Sequence, residues 1–301
     1  MKMLHPILGC ILGASLLLLG CGSPHLERPG IPLAWGMRME SPADEAEINA
    51  NLAKMRDLVT RQIVLELPVE ADSAGLPRIK ALPLGSFVTL ARQYKIRFNL
   101  ALTTLRPQDL FPRGEIADPN AWFDRYTDEV DSLLQVLAGY PPERVILGND
   151  WRPAEAHPNH FRTLLKDLRT DYRNRFAYGA RVDRLEEIPF WAACQEIAID
   201  YTPTAAGDLK ATSRKINPRA GEFAAGQRLP IFIFRANIIG PEPALQLKNR
   251  LRFWPERTPM SGICINTIYP TIAARDSVTY YGLAQEPEFF EFMEEYRLRT
   301  P

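Results

Sequence analysis

The 301-residue chain has only four cysteines and four histidines, and its 36 basic residues are cancelled by 36 acidic ones. Each scarcity excludes something. Zero net charge leaves no electrostatic footprint for nucleic acid and no polybasic surface for anionic lipid. Four cysteines are too few to read as a disulfide framework, so stability must come from a core. No Gly-x-Gly-x-x-Gly follows the first apolar run, where a dinucleotide-binding fold would need it to approach a pyrophosphate, and no cofactor is expected. His157 and His160 are close in sequence, but no third ligand has a recognisable spacing, so no metal is expected either.

The N-terminus carries a targeting pattern. Met1 and Lys2 precede an apolar run from Leu4 to Leu19, too short to be a spanning helix. It ends in Leu18-Leu19-Gly20-Cys21, which resembles the lipobox of bacterial lipoproteins: apolar residues, a small residue, then the cysteine that receives a diacylglycerol. The reading is a signal peptide over residues 1–20 and a mature chain lipidated on Cys21. An ordinary secretory peptide with Cys21 left free, or an uncleaved anchor, are the alternatives. Gly22 is not an inner-membrane retention aspartate, so the sorting rule of that pathway predicts the outer membrane within the bacterial cell envelope. Residues 21–30, rich in proline and glycine, read as a tether, and membrane attachment rests on the lipid. Of the remaining cysteines, Cys194 and Cys264 lie in apolar surroundings and are expected as buried thiols rather than a disulfide.

Beyond the tether, strand-like runs alternate with helical periodicity. The eight strands are read at Ile31 to Trp35, Gln62 to Leu67, Ile96 to Leu102, Val145 to Leu147, Phe176 to Ala180, Ile197 to Tyr201, Pro230 to Phe234 and Gly262 to Thr267. The clearest helix is Asn120 to Ala138, with an apolar stripe from Trp122 to Leu137, a cap region at Asp118-Pro119 and Gly139 past its end. Others are read at Glu45 to Val59, Phe87 to Tyr94, Asn159 to Tyr172, Glu187 to Ala193, Pro243 to Trp254 and Pro287 to Arg297. The stretch Gly207 to Gln227 contains Pro218 and Gly221, which leaves its helix open. Eight such units in roughly 270 residues match an α/β (β/α)8 barrel (TIM barrel) of about 250 residues, a single domain over 31–301, with a doubly wound open sheet as runner-up. A barrel builds its active face at the C-terminal ends of its strands.

At the fourth strand end the chain reads Ile146-Leu147-Gly148-Asn149-Asp150-Trp151. It is followed by His160-Phe161-Arg162-Thr163-Leu164-Leu165, Phe176-Ala177-Tyr178-Gly179-Ala180, Ile188-Pro189-Phe190-Trp191 and Ile197-Ala198-Ile199-Asp200-Tyr201. In order and spacing these motifs resemble glycoside hydrolase family 113, the endo-β-mannanase-like barrels of the clan that also holds cellulases. The resemblance is strongest from Val145 to Pro203. It implies a (β/α)8 fold, a glycan ligand, and a retaining pair of carboxylates about 5 to 5.5 Å apart, contributed by strands four and seven. It also implies that Asn149 contacts a sugar 2-hydroxyl and that Asp150 stands at the acid/base position.

Both catalytic positions depart from the family pattern. Asp150 replaces a glutamate, setting its carboxyl about 1.5 Å further back, and a displacement of that size costs on the order of a hundredfold. The seventh strand, Leu229-Pro230-Ile231-Phe232-Ile233-Phe234-Arg235, puts a guanidinium where the nucleophile is expected, and arginine is not a nucleophile at neutral pH. Glu242 is the nearest acid along the chain. An ion pair of Arg235 with Asp150 across the mouth is one expectation. Glu66 is expected to pair with an arginine, and Asp200 to point toward the helices. Trp35, Trp151, Tyr201 and Tyr269 are candidate walls for stacking on pyranose rings, and Arg38 and Arg181 are candidate rim residues. Strand eight ends Asn266-Thr267-Ile268-Tyr269, where active members present a tryptophan platform. The sequence therefore predicts a lipid-anchored, catalytically impaired pseudoenzyme binding a glycan or related ligand. Its competitors are a working glycosidase acting on β-linked polysaccharide, with Asp150 as acid/base and a relocated second carboxylate, and a structural envelope protein.

Overall fold

The short apolar runs become eight parallel strands: β1 Ile31–Arg38, β2 Gln62–Ala71, β3 Arg97–Thr103, β4 Arg144–Asn149, β5 Arg175–Arg181, β6 Glu196–Asp200, β7 Ile231–Asn237 and β8 Met260–Ile268. Each pairs in parallel with the next, and β1 closes the ring by pairing Leu33 with Ile263 and Ala34 with Cys264 of β8. This is the expected (β/α)8 barrel. The computed structural model describes residues 31–38, 62–80, 83–104, 106–201, 209–237, 252–255 and 257–268 together with 46, 48, 49, 52, 53, 249, 298 and 299. For 31–38, 209, 237, 265–268, 298 and 299 it describes the backbone alone. The chain divides into Met1–Gly30 and Ile31–Pro301; the expected signal peptide, Cys21 and tether fall in the first unit, outside the described residues.

Helices cover the outside of the ring. Among those described are α1 Leu84–Gln93, α2 Pro119–Val136, α3 Pro158–Asp171 and α4 Leu209–Gln227. α2 starts as its sequence dictates: Asp118 Oδ1 accepts from the Ala121 N–H at 3.2 Å and Pro119 occupies the first turn. Its stripe Trp122, Phe123, Tyr126, Val130, Leu133 and Leu134 is buried. The stripe of α3, Phe161, Leu164, Leu165 and Leu168, is buried likewise. The expected helices Pro243 to Trp254 and Pro287 to Arg297 lie almost wholly outside the described residues.

One local reading is corrected, one left open is resolved, and one element is new. The expected helix Glu187 to Ala193 is instead two 3-10 turns, Leu185–Glu187 and Trp191–Ala193. Pro189 is the reason: it forces the preceding Ile188 out of helical geometry, to φ −84° and ψ 117°. Conversely, α4 runs through Pro218 despite the lost hydrogen bond, because it buries Ser213, Asn217, Ala220 and Ala224. β2 also continues beyond the ring and returns as a short antiparallel strand, Pro77–Ile79. The turn is held by Asp72 Oδ1, which accepts from the N–H groups of Ala74 and Leu76 at 2.8 and 3.0 Å, with Gly75 at φ 80°.

The barrel lumen is layered. Its middle holds Val64, Ala101, Ile146, Ala177, Ala198, Phe232, Phe234 and Cys264, where alanines on one side make room for phenylalanines on the other. Cys194 lies instead in the larger cluster between sheet and helices, and burial pushes its thiol up to about 12. Both cysteines are buried thiols. Below the apolar layer, at the N-terminal end of the strands, Arg144 donates to Glu196 at 2.7 Å, to Asn99 at 3.2 Å and to the Ser261 carbonyl at 3.0 Å. Its guanidinium lies 4.6 Å from the Phe232 ring centre.

Arg144 and Glu196 are buried, so removing one partner leaves the other charge stranded. Arg144→Ala is expected to lower unfolding stability by about 3–5 kcal/mol, read from urea midpoints. The double variant Arg144→Met with Glu196→Leu is expected to recover most of that loss.

Candidate functional site

At the C-terminal ends of the strands the layering is polar again, and a guanidinium is at its centre. Arg235 of β7 donates from Nε and Nη2 to Glu66 of β2, at 3.2 and 2.5 Å, and from Nη1 to Asp200 of β6, at 2.7 Å. Asn149 of β4 donates to the same Asp200 oxygen at 2.9 Å. The Thr103 hydroxyl of β3 approaches Glu66 at 3.5 Å. Glu66, Asp200 and Arg235 side chains are only 2, 6 and 11 % exposed. The mouth of the barrel is therefore tied across from β7 to β2 by charge-assisted hydrogen bonds.

The backbone explains why these side chains point inward. Strict alternation would turn Arg235 away from the lumen that Phe234 faces. Between Ile199 and Asp200 the β6–β7 register slips: Ile199 pairs with Ile233, but Asp200 pairs with Arg235. The extra residue on β7 lets both Phe234 and Arg235 serve the lumen. β4 slips in the same way, pairing Ile146 with Ala177 but Asn149 with Gly179. Gly148 absorbs that irregularity at φ 115°, and a Cβ there would lie 2.7 Å from the Trp151 ring. Asp150 follows at φ 58°, a conformation aspartate tolerates better than most residues.

Asp150 and Arg235, expected to face each other, are each paired elsewhere. Asp150 Oδ1 accepts from Arg184 Nη1, while Arg235 is shared by Glu66 and Asp200. Arg184, in the loop after β5, also donates to Glu155 at 3.0 Å and to Glu187 at 2.7 Å. Burial works against its charge, yet Glu187, Asp150 and Glu155 together hold it more firmly protonated than an ordinary arginine. Burial pushes the Glu155 carboxyl up, against the opposing pull of the Tyr178 hydroxyl and Arg184. Tyr178 donates to Glu155 at 2.8 Å and accepts from the Trp151 N–H at 2.9 Å; burial, then Glu155, drive its phenol well above the ordinary range. A general acid must offer a proton to the leaving oxygen. Asp150, its side chain 24 % exposed, offers an oxygen already engaged by a guanidinium.

The other candidates sort by burial. Trp151 is 1 % exposed, edge-on to Trp122 and Tyr126 at 6.3 and 5.5 Å between ring centres. Tyr201 is also buried, its hydroxyl bonded to Ser213 and Asn217 at 2.8 Å each. Neither presents a face to a sugar, which corrects both as stacking walls. Asp200 is corrected too, because it points into the barrel mouth rather than toward the helices; Glu66 pairs with an arginine as expected. Arg181 is tied to its neighbour Asp183 at 3.0 and 2.5 Å on the rim. His160 stacks on Phe123 at 5.1 Å and bonds Asn120 at 3.0 Å. Trp35 and Arg38 lie on β1, with Trp35 paired to Ile63 and Arg38 to Glu66; their side chains, Glu242 and Tyr269 are outside the described residues.

Arg184, Glu155 and Tyr178 were not singled out from sequence. Tyr178 lies in the apolar run Phe176-Ala177-Tyr178-Gly179-Ala180, and a phenol in an apolar strand needs a polar partner. Nothing local marked Arg184, three residues from Arg181. What the described part of the mouth offers a ligand is polar: the Asp150 carboxylate and the Asn149 amide, whose Oδ1 is buried and accepts no hydrogen bond among the described residues.

Comparison with solved structures finds barrels of the same fold. The chain superposes on the GH113 β-mannanase AaManA from Alicyclobacillus acidocaldarius, in complex with ManMIm, with a TM-score of 0.66 and 18% identity, over 89% of this chain and 97% of that one. A GH113 β-1,4-mannanase complex gives 0.67 and 14%, over 90% and 100%. A structure of the tandem GH20 catalytic modules of the pneumococcal exo-β-D-N-acetylglucosaminidase StrH gives 0.52 and 10%, over 91% and 87%. No family model and no curated protein matches the chain. At these identities the likeness is one of fold, the (β/α)8 barrel that these hydrolases share.

Gly148→Ala tests the strained turn beneath Asp150. Its backbone cost alone is expected at about 1–3 kcal/mol, read by urea unfolding, and near-ultraviolet circular dichroism is expected to report a displaced Trp151.

Proposed function

We propose that this chain is a catalytically impaired glycoside-hydrolase-like barrel that holds a glycan at the bacterial cell envelope, tethered through a lipid on Cys21. The carrying observation is the placement of Arg235. Retaining hydrolysis needs a carboxylate on each side of the scissile bond. The β7 position that would supply one bears a guanidinium bonded to Glu66 and Asp200, and the β4 position bears an aspartate bonded to Arg184. These groups are suited to hydroxyl recognition: guanidinium N–H groups donate, while the Asp150 carboxylate and the Asn149 Oδ1 accept. The GH113 neighbours are β-mannanases, one of them in complex with ManMIm, which makes β-mannan the first ligand to test.

A second reading is a glycosidase with relocated chemistry. It is favoured by one observation, that Glu66 and Asp200 both stand in the barrel mouth within reach of a single guanidinium.

The two readings separate in a screen of β-mannan, β-glucan and their oligosaccharides, scored for cleavage and for binding. Saturable binding without product, weakened about tenfold or more by Asn149→Ala through a lost buried hydrogen bond, is the expected result. Product release abolished by Asp150→Asn, Glu66→Gln or Asp200→Asn would reverse the proposal in favour of the enzyme. The anchor is tested separately: Cys21→Ser is expected to move the protein from the membrane fraction to the soluble fraction with its thermal midpoint unchanged.

A further inference from the structure

Beside the mouth lies a cavity of about 230 Å³ between the loop that follows β5 and the helix α4. Its walls are apolar, with Val182 and Leu185 from the loop and Ile216, Ala220 and Phe223 from the helix. Four charged side chains, Asp183, Glu186, Arg219 and Lys215, complete the described lining. Three of them are already neutralised. Asp183 takes both Nε and Nη2 of Arg181 at 3.0 and 2.5 Å, and Glu186 takes the same pair of groups from Arg219 at 2.6 and 2.5 Å. The Glu186–Arg219 pair also joins the loop to α4, so it holds the two walls of the cavity together. Lys215 has no ion-pair partner among the described residues and its side chain is exposed.

We propose that this cavity is a binding site for a small amphipathic anion, an apolar tail or ring bearing one carboxylate, distinct from the glycan site in the barrel mouth. An apolar cavity of about 150 Å³ suffices for a benzene ring, so 230 Å³ accepts a medium-length acyl chain or a substituted ring. Burying that body removes apolar surface from water on both sides. The exposed ammonium of Lys215 selects the head group: a carboxylate complements its charge, a neutral head gains nothing from it, and a cation is repelled. The neighbouring bidentate pairs are satisfied internally and do not compete for the ligand.

Octanoate, octanol and octylammonium are the probes, titrated calorimetrically into the full chain and into two variants. Octanoate is expected to bind saturably with one site, and more tightly than either of the others. Lys215→Glu, an exposed change that leaves the fold intact by circular dichroism, is expected to weaken octanoate about tenfold, the sum of a lost attraction and a gained repulsion at a solvated rim. Ile216→Trp is expected to abolish binding of all three by filling the space. Octylammonium binding as tightly as octanoate, octanoate binding unchanged in Lys215→Glu or Ile216→Trp, or an absence of saturable octanoate binding would each overturn the proposal.

Discussion

Where the eight strands end, Arg235 bonds Asp200 on one side and Glu66 on the other, and the top of the barrel is organised by that bridge. Two carboxylates this deeply buried could not share the mouth without a cation between them. With the cation there, Asp200 is fixed and can orient Asn149, and Glu66 is fixed beside Thr103. A similar arrangement stands at the opposite end, where Arg144 joins Glu196, Asn99 and the Ser261 carbonyl. Between the two arginines the lumen is apolar, so each end is a separate polar network, and the strands are tied together above and below the same hydrophobic layer.

The fold was legible because its signal is repetitive. Eight apolar runs alternating with stripes such as Phe161, Leu164, Leu165 and Leu168 leave few architectures to choose from. Strand ends were less legible: β4 and β7 each extend past their apolar cores into Asn149 and Asn237, because bulges keep polar residues in the ladder. Proline acts differently in two places. It broke the helix read at Glu187 to Ala193, and it was accommodated within α4 where burial outweighed it.

The candidate site was half legible. Position along the sequence put Asn149, Asp150, Glu66, Asp200 and Arg235 at strand ends, which is a matter of counting. Partnership was not legible, because it depends on register. With Ala198 in the lumen and Ile199 toward the helices, alternation along β6 itself turns Asp200 inward; one residue of slip between β6 and β7 then sets Arg235 beside Asp200 rather than against Asp150. Asp150 then found Arg184, a residue 34 positions away in a loop with no motif. Trp151 and Tyr201 were misread for a related reason. An aromatic residue just past a strand end can face the cleft or fold under the helices, and here a ring cluster with Trp122 and Tyr126 and a hydroxyl bond to Asn217 took them inward.

The bridge also narrows what position 235 can become. A glutamate there would remove the guanidinium that bonds both Glu66 and Asp200 and add a third carboxylate beside them, and their mutual repulsion would favour protonation. A neutral side chain would take the Arg235 charge away from both acids. Position 235 is therefore coupled to positions 66 and 200 on two other strands, and a change of charge at one of the three is felt by the other two.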